Sequence, residues 1–135
     1  MDSHKIAITQ DLDSNTVNKD RADQLVVYIC SKYSGDITTN SKDDKRYSRF
    51  AVEQGVIPIA PHLLFPVFMD EKTERDIAMY MDEVLISRVD ELWVFGNELS
   101  SGMKVEVEAA KKLKKPIRYF NKQCKKQISR FKEWA

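Results

Sequence analysis

Two carboxylates occupy helix faces that should be apolar. From Ser101 onward, steps of about 100° per residue gather Met103, Val107, Ala110 and Leu113 on one arc. Glu106 projects inside that arc, whereas Glu108 falls on the polar side with Lys104, Lys111 and Lys112. The preceding helical segment repeats the pattern: Asp82 lies among Ile77, Ala78, Met81, Val84, Leu85 and Ile86, while Glu83 points with Tyr80 and Ser87 to the wet side. Burying an ionised carboxylate is costly unless it is paired, hydrogen-bonded or protonated. Glu106 is not the third helical residue after Ser100 or Ser101, so a capping box does not account for it. Two acids turned inward from consecutive helices can converge on one cleft, and paired carboxylates in a partly dry cleft are the equipment of glycosidic-bond chemistry. The competing account, in which a Ser, Tyr or Arg satisfies each acid separately at the rim of the core, stays open at this level.

Other candidates carry weaker signals. Ser31-Lys32-Tyr33-Ser34-Gly35 follows an apolar run and could hold an anion through backbone N–H groups and Lys32; a plain connecting turn explains it equally well. His62, beside Pro61 and without a Cys or acidic partner at useful spacing, reads as a packed loop residue. Asp90 reads as the organiser of a turn into the strand after it. Cys30 and Cys124 form no CxxC pair, which excludes a metal ribbon and a disulfide scaffold. Neither a P-loop nor GxGxxG is present, so no metal and no cofactor is expected.

The elements that must position these groups alternate regularly. Leu25-Val26-Val27-Tyr28-Ile29-Cys30 is a strand buried on both faces. A helix follows from an Asn40 cap to about Gln54, with Tyr47, Phe50 and Ala51 inward and Gly55 stopping it. Val56-Ile57-Pro58-Ile59 is a short edge strand, and Pro61 and Pro66 bracket a stretch that cannot be regular helix. Thr73 caps a second helix through about Arg88. Leu92-Trp93-Val94-Phe95 is a third strand, Ser100 or Ser101 starts a helix ending near Leu113, and Pro116 to Phe120 is a fourth strand. The tail from Lys122 to Ala135 is expected as an amphipathic helix using Ile128, Phe131 and Trp134, and residues 1–24 as an arm or edge strand. Alternation of this kind predicts a single α/β domain over residues 1–135: a doubly wound, flavodoxin- or Rossmann-like parallel sheet of four to five strands. Ligands of such sheets bind outside the carboxyl ends of the strands, which selects the loops after Cys30, Ile59 and Phe95.

Composition narrows the classes further. With 135 residues there is room for one domain, and a hydrophobic share of 42% argues against wholesale disorder. No apolar run reaches the roughly 20 residues of a membrane helix, and Met1 to Lys5 lacks the order of a secretory signal, so a cytoplasmic protein is expected. From Lys104 onward, 11 Lys and Arg face three Glu. The two Lys pairs there suit the C-terminal turn of a helix and lack interleaved aromatics, which argues against a nucleic-acid polymer as partner.

The residues also carry a family likeness. Val27 to Ser31, Asp82 followed by Asp90 to Phe95, and Ser101-Gly102-Met103-Lys104-Val105-Glu106 resemble nucleoside 2-deoxyribosyltransferases and their relatives that hydrolyse deoxynucleoside 5′-monophosphates. The segment 28–120 is similar to a bacterial and phage branch of that superfamily without assigned function, sharing its PHLLFP-like loop and DELWVFG-like strand. This resemblance implies Glu106 as the nucleophile at C1′ of the sugar, Asp82 as the acid handling the departing base, and Tyr28 as the tyrosine holding the glutamate. It places Ser101 at a 5′-phosphate, with Gly102 beside it and Ser31 and Lys32 as further binding residues. A homo-oligomer acting on a small nucleoside or nucleotide is implied as well. The chain departs from the pattern at Cys30-Ser31-Lys32-Tyr33, where a Gly-Pro-Phe-like turn is common, and at Glu108, where a glycine often stands. These departures leave a second reading: a module that binds a nucleotide or nucleotide-derived signal without cleaving it.

Overall fold

The computed structural model describes residues 24–127. The apolar run at 6–8, the polar segment before residue 24, and Ile128, Phe131 and Trp134 of the tail lie outside the described residues. The apolar run after Leu25 forms β1 (Val26–Cys30), the buried middle of the sheet. It pairs in parallel with β2 (Ile57–Ile59) on one side and with β3 (Glu91–Phe95) on the other. β4 (Ile117–Phe120) adds in parallel to β3, and β5 (Lys126–Gln127) closes the order β2-β1-β3-β4-β5. The chain steps from β1 to one edge, then crosses back to the other side of β1. Strand order therefore switches between β1 and β3, where open α/β sheets hold ligands.

Helices cover both faces, and strand parity assigns residues to them. Val27, Ile29, Trp93, Phe95 and Phe120 face α1 (Ile37–Glu53), packing on Tyr47 and Ala51 with Phe50 against them. Tyr28, Cys30, Leu92 and Val94 face the opposite way, toward α3 (Arg75–Arg88) and α4 (Ser101–Lys112), meeting Ile86, Met103, Val107 and Ala110. Fully burying each such aliphatic side chain contributes roughly 1.5–3 kcal/mol. Among the described residues no helix is long and apolar enough to cross a membrane.

Several expectations need correction. The β5 strand is antiparallel to β4, pairing Tyr119 with Gln127, where the start of a tail helix was expected. The Asn121 side chain accepts from the Gln123 and Lys125 N–H groups and Cys124 takes a positive φ of 62°, so the chain reverses instead of coiling. α1 begins earlier than Asn40, because Asp36 accepts the Thr39 N–H and caps it. Pro61 opens a single helical turn, α2 (Pro61–Leu64), at the position where a missing N–H is harmless, and a 3-10 turn over Phe65–Val67 follows. Thr73 does not cap α3; Glu74 stands at that position, and its side chain accepts the Asp70 N–H instead of capping the helix. Ile77 and Leu113, assigned to inward arcs, are exposed at the helix ends. Asp90 does organise the entry to β3: its carboxylate accepts the Val26 N–H at 2.8 Å, tying β3 to the start of β1.

Candidate active site

Parity in β1 sends the Tyr28 side chain under α4, where its hydroxyl donates to Glu106 Oε2 at 2.7 Å. Both groups are deeply buried, Tyr28 at 1% and Glu106 at 8% exposure. Burial pushes the Glu106 carboxyl up to about 8; hydrogen bonds from Tyr28 and Cys30 act against that, and the nearby Asp82 adds to it. Burial likewise lifts Asp82 to about 7. A hydroxyl has one proton to give, and the short bond assigns that of Tyr28 to Glu106. Two carboxyls in one low-dielectric site cannot both ionise readily, so the pair retains a proton near neutral pH.

Glu106 and Asp82 line the same cavity, of about 80 Å3, between α3, the start of α4 and the loops after β1 and β2. Glu106 Oε1 and Asp82 Oδ1 are each buried with no hydrogen-bond partner among the described residues. Unsatisfied buried carboxylate oxygens are rare in folded proteins, and each calls for a donor from elsewhere. Tyr28 satisfies one oxygen of Glu106 as the rim-of-core account expects, while the second oxygen of Glu106 and Oδ1 of Asp82 are left over.

The other residues singled out from sequence divide between two places. Ser101 and Gly102, the first residues of α4, line the Glu106 cavity. Ser100 caps that helix by accepting the Met103 N–H at 3.3 Å, while the first N–H groups beyond it have no intrahelical partner and suit an anion. Ser31 also lines the cavity, but its hydroxyl donates to the buried Asp44 carboxylate, so it offers a ligand lone pairs and no proton. Lys32 is not in this cavity; it lines a neighbouring crevice on the α1 face. Tyr28 lies behind Glu106 and does not line the cavity.

Sequence reasoning passed over Asp44 and Arg75, and set His62 aside. Asp44 is 2% exposed and sits three and seven residues before the inward Tyr47 and Ala51, so the test that found Glu106 also finds it. Burial lifts its carboxyl to about 7 against the Ser31 hydrogen bond. His62, read as a packed loop residue, lines the cavity with its ring 4.7 Å from that of Tyr33; burial lowers it to about 4 and keeps it neutral. Arg75 opens α3 at the cavity and supplies its positive charge. Among the described residues no three His, Cys, Asp or Glu side chains are grouped to hold a metal ion.

Sheet order and helix placement define an open α/β domain with a nucleoside 2-deoxyribosyltransferase-like fold. The chain belongs to the family described as a domain of unknown function (DUF7768), matched over residues 25–120. Among solved structures it is similar to a 2-deoxyribosyltransferase from the psychrotolerant bacterium Bacillus psychrosaccharolyticus, with a TM-score of 0.57 and 19% identity over 71% of this chain and 72% of that one. A 2-deoxyribosyltransferase from Leishmania mexicana matches with a TM-score of 0.53 and 15% identity, over 72% of this chain and 64% of the other. No curated protein matches the sequence.

Proposed function

We propose that the protein cleaves or transfers the N-glycosidic bond of a (deoxy)nucleoside or nucleoside 5′-monophosphate, with Glu106 as nucleophile. The observation carrying this reading is the shared cavity into which Asp82 and a Tyr28-bound Glu106 each bring an unsatisfied oxygen. A Glu106 oxygen bonds to C1′ as the C1′–N bond breaks, and the departing nitrogen takes the proton of Asp82. Water, or an acceptor base, then displaces Glu106 from C1′ and returns its proton to Asp82. Covalent catalysis thus divides one hard displacement into two easier ones. An acid lifted to about 7 suits proton transfer near neutral pH. Ser101 and Gly102, at the helix N-terminus, would receive a 5′-phosphate in the cavity that Ser31 also lines. The test is release of free base from a panel of nucleosides, deoxynucleosides and their 5′-monophosphates; no release from any of them overturns the reading.

Tyr28→Phe removes a donor that favours the Glu106 carboxylate. The expected result is a fall in turnover of about 10- to 100-fold, with the acid limb of the pH–rate profile moved to higher pH. An unmoved limb removes Tyr28 from the mechanism.

One observation favours the second reading, a binding module that leaves its nucleotide intact: burial holds Glu106 up at about 8, where much of it is a neutral acid at pH 7. Recovery of intact ligand after prolonged incubation supports that reading, and a sugar adduct on Glu106 overturns it. We further infer a homo-oligomer, seated on the outer face of α4. There Val105 and Leu113 are exposed among Lys104, Glu108 and Lys112. Light scattering should give a multiple of the 15.7 kDa chain mass; a monomer mass refutes the assembly.

A further inference from the structure

The Glu106 cavity encloses only the reacting end of the ligand it is proposed to hold. Ligand pockets usually measure about 300–1,000 Å3, against about 80 Å3 here. The remaining space lies next door. A crevice of about 320 Å3 opens between the carboxyl ends of β1 and β3 on the α1 face, at the point where strand order switches. Ser31 and Ser100 line both spaces, so the two meet along the sheet edge, with the start of α4 between them. We propose that one ligand spans both: a dinucleotide, in which the nucleoside held at Glu106 is joined through 5′-phosphates to a second nucleoside in the crevice. The proposal rests on the glycosidic reading above and names its substrate class.

The lining of the crevice offers the kinds of group such a ligand needs. Phosphates leaving the Glu106 cavity first meet the unpartnered N–H groups at the start of α4 and the positive end of its dipole. Lys32 and Lys122 line the crevice, and neither makes an ion pair among the described residues. The same lining also holds acceptors. Asp43, with Arg46 at 2.9 Å, and the exposed Glu98 can accept from sugar hydroxyls. Tyr47 and Phe95 close the floor of the crevice, but they are stacked on each other at 4.4 Å and buried, so a base meets only their edges. Acids interleaved with lysines disfavour a compact polyanion such as inorganic triphosphate. They suit a chain in which phosphate gives way to ribose. The buried Ser31–Asp44 bond fixes the partition between the two spaces.

The test compares adenosine, adenosine 5′-monophosphate and diadenosine 5′,5′-diphosphate by calorimetry on the full chain and on the double variant Lys32→Ala, Lys122→Ala. Both lysines are exposed, so the variant should fold. The dinucleotide should bind about 10-fold or more tightly than the monophosphate, and the variant should erase most of that gain. Equal affinities, no binding of the dinucleotide, or a gain that survives the double variant each overturn the proposal. Base release measured in parallel separates the two failures. Cleavage of nucleoside or monophosphate without any dinucleotide advantage refutes the spanning ligand alone. Lysine-dependent dinucleotide binding without release from any compound refutes catalysis and leaves the spanning ligand standing.

Discussion

Glu106→Gln should abolish release of base from whichever nucleoside the wild-type protein cleaves, by about 10^4-fold or more. The substitution keeps the volume and the hydrogen bond from Tyr28, which a carboxamide oxygen accepts as a carboxylate does. What disappears is the ability to form an ester at C1′. The displacement must then run in one step without the covalent route. Asp82→Asn should fall less, by roughly 10^2 to 10^4, because it removes proton transfer but leaves the nucleophile. Progress curves at matched substrate concentrations check both. Release undiminished in Glu106→Gln removes this residue from the chemistry.

The same substitution should stabilise the fold, and only on the alkaline side. In the folded chain the Glu106 carboxyl titrates near 8 instead of its usual 4.5. Below about pH 4.5 the folded and unfolded chains both hold the proton, and burial imposes no ionic penalty. Between there and about pH 8 the unfolded chain has released a proton that the folded chain keeps, so stability falls as pH rises. Above that range the folded chain carries the full cost of a buried anion. Glu106→Gln removes this dependence, since its side chain never ionises. The gain at pH 8.5 should be on the order of a few kcal/mol, with almost none at pH 4.5. For a domain of this size that corresponds to a rise in Tm of roughly 10 °C or more. Asp82 and Asp44 both repel the Glu106 anion, so part of the gain is relief of that repulsion. A variant no more stable than wild type at pH 8.5 indicates that Glu106 is solvated or paired. Gain in stability with loss of activity is the pattern left by a site held against its folding preference.

Part of this site was legible in the sequence because helix geometry is local. Glu106 among Met103, Val107 and Ala110, and Asp82 near Ala78 and Ile86, stand out from residue spacing alone, and all five of these neighbours are buried as that spacing requires. Asp44 passes the same test against Tyr47 and Ala51, yet it sits in the run Lys42-Asp43-Asp44-Lys45, whose charge reads as solvated surface. Lys32 lines the space on the α1 face although alternation continued from Tyr28 and Cys30 would turn it toward Glu106; β1 ends at Cys30, so strand parity no longer governs it. The start of the tail, residues 122–127, turns into a strand instead of a helix because Asn121 side-chain bonds to the next turn outweigh the helical preference of the lysines after it.

By itself the sequence determined the alternation of buried strands and amphipathic helices, the three loops at the carboxyl edge, and the existence of acids pointing the wrong way. Each of these follows from spacing within a single element. Only the tertiary structure decided that two of those acids share one cavity, that Tyr28 rather than Ile29 reaches Glu106, and that a larger crevice adjoins them. Those outcomes depend on strand parity relative to a helix 78 residues away and on the crossing that puts β3 beside β1. No periodicity within one element contains the order in which elements are laid side by side.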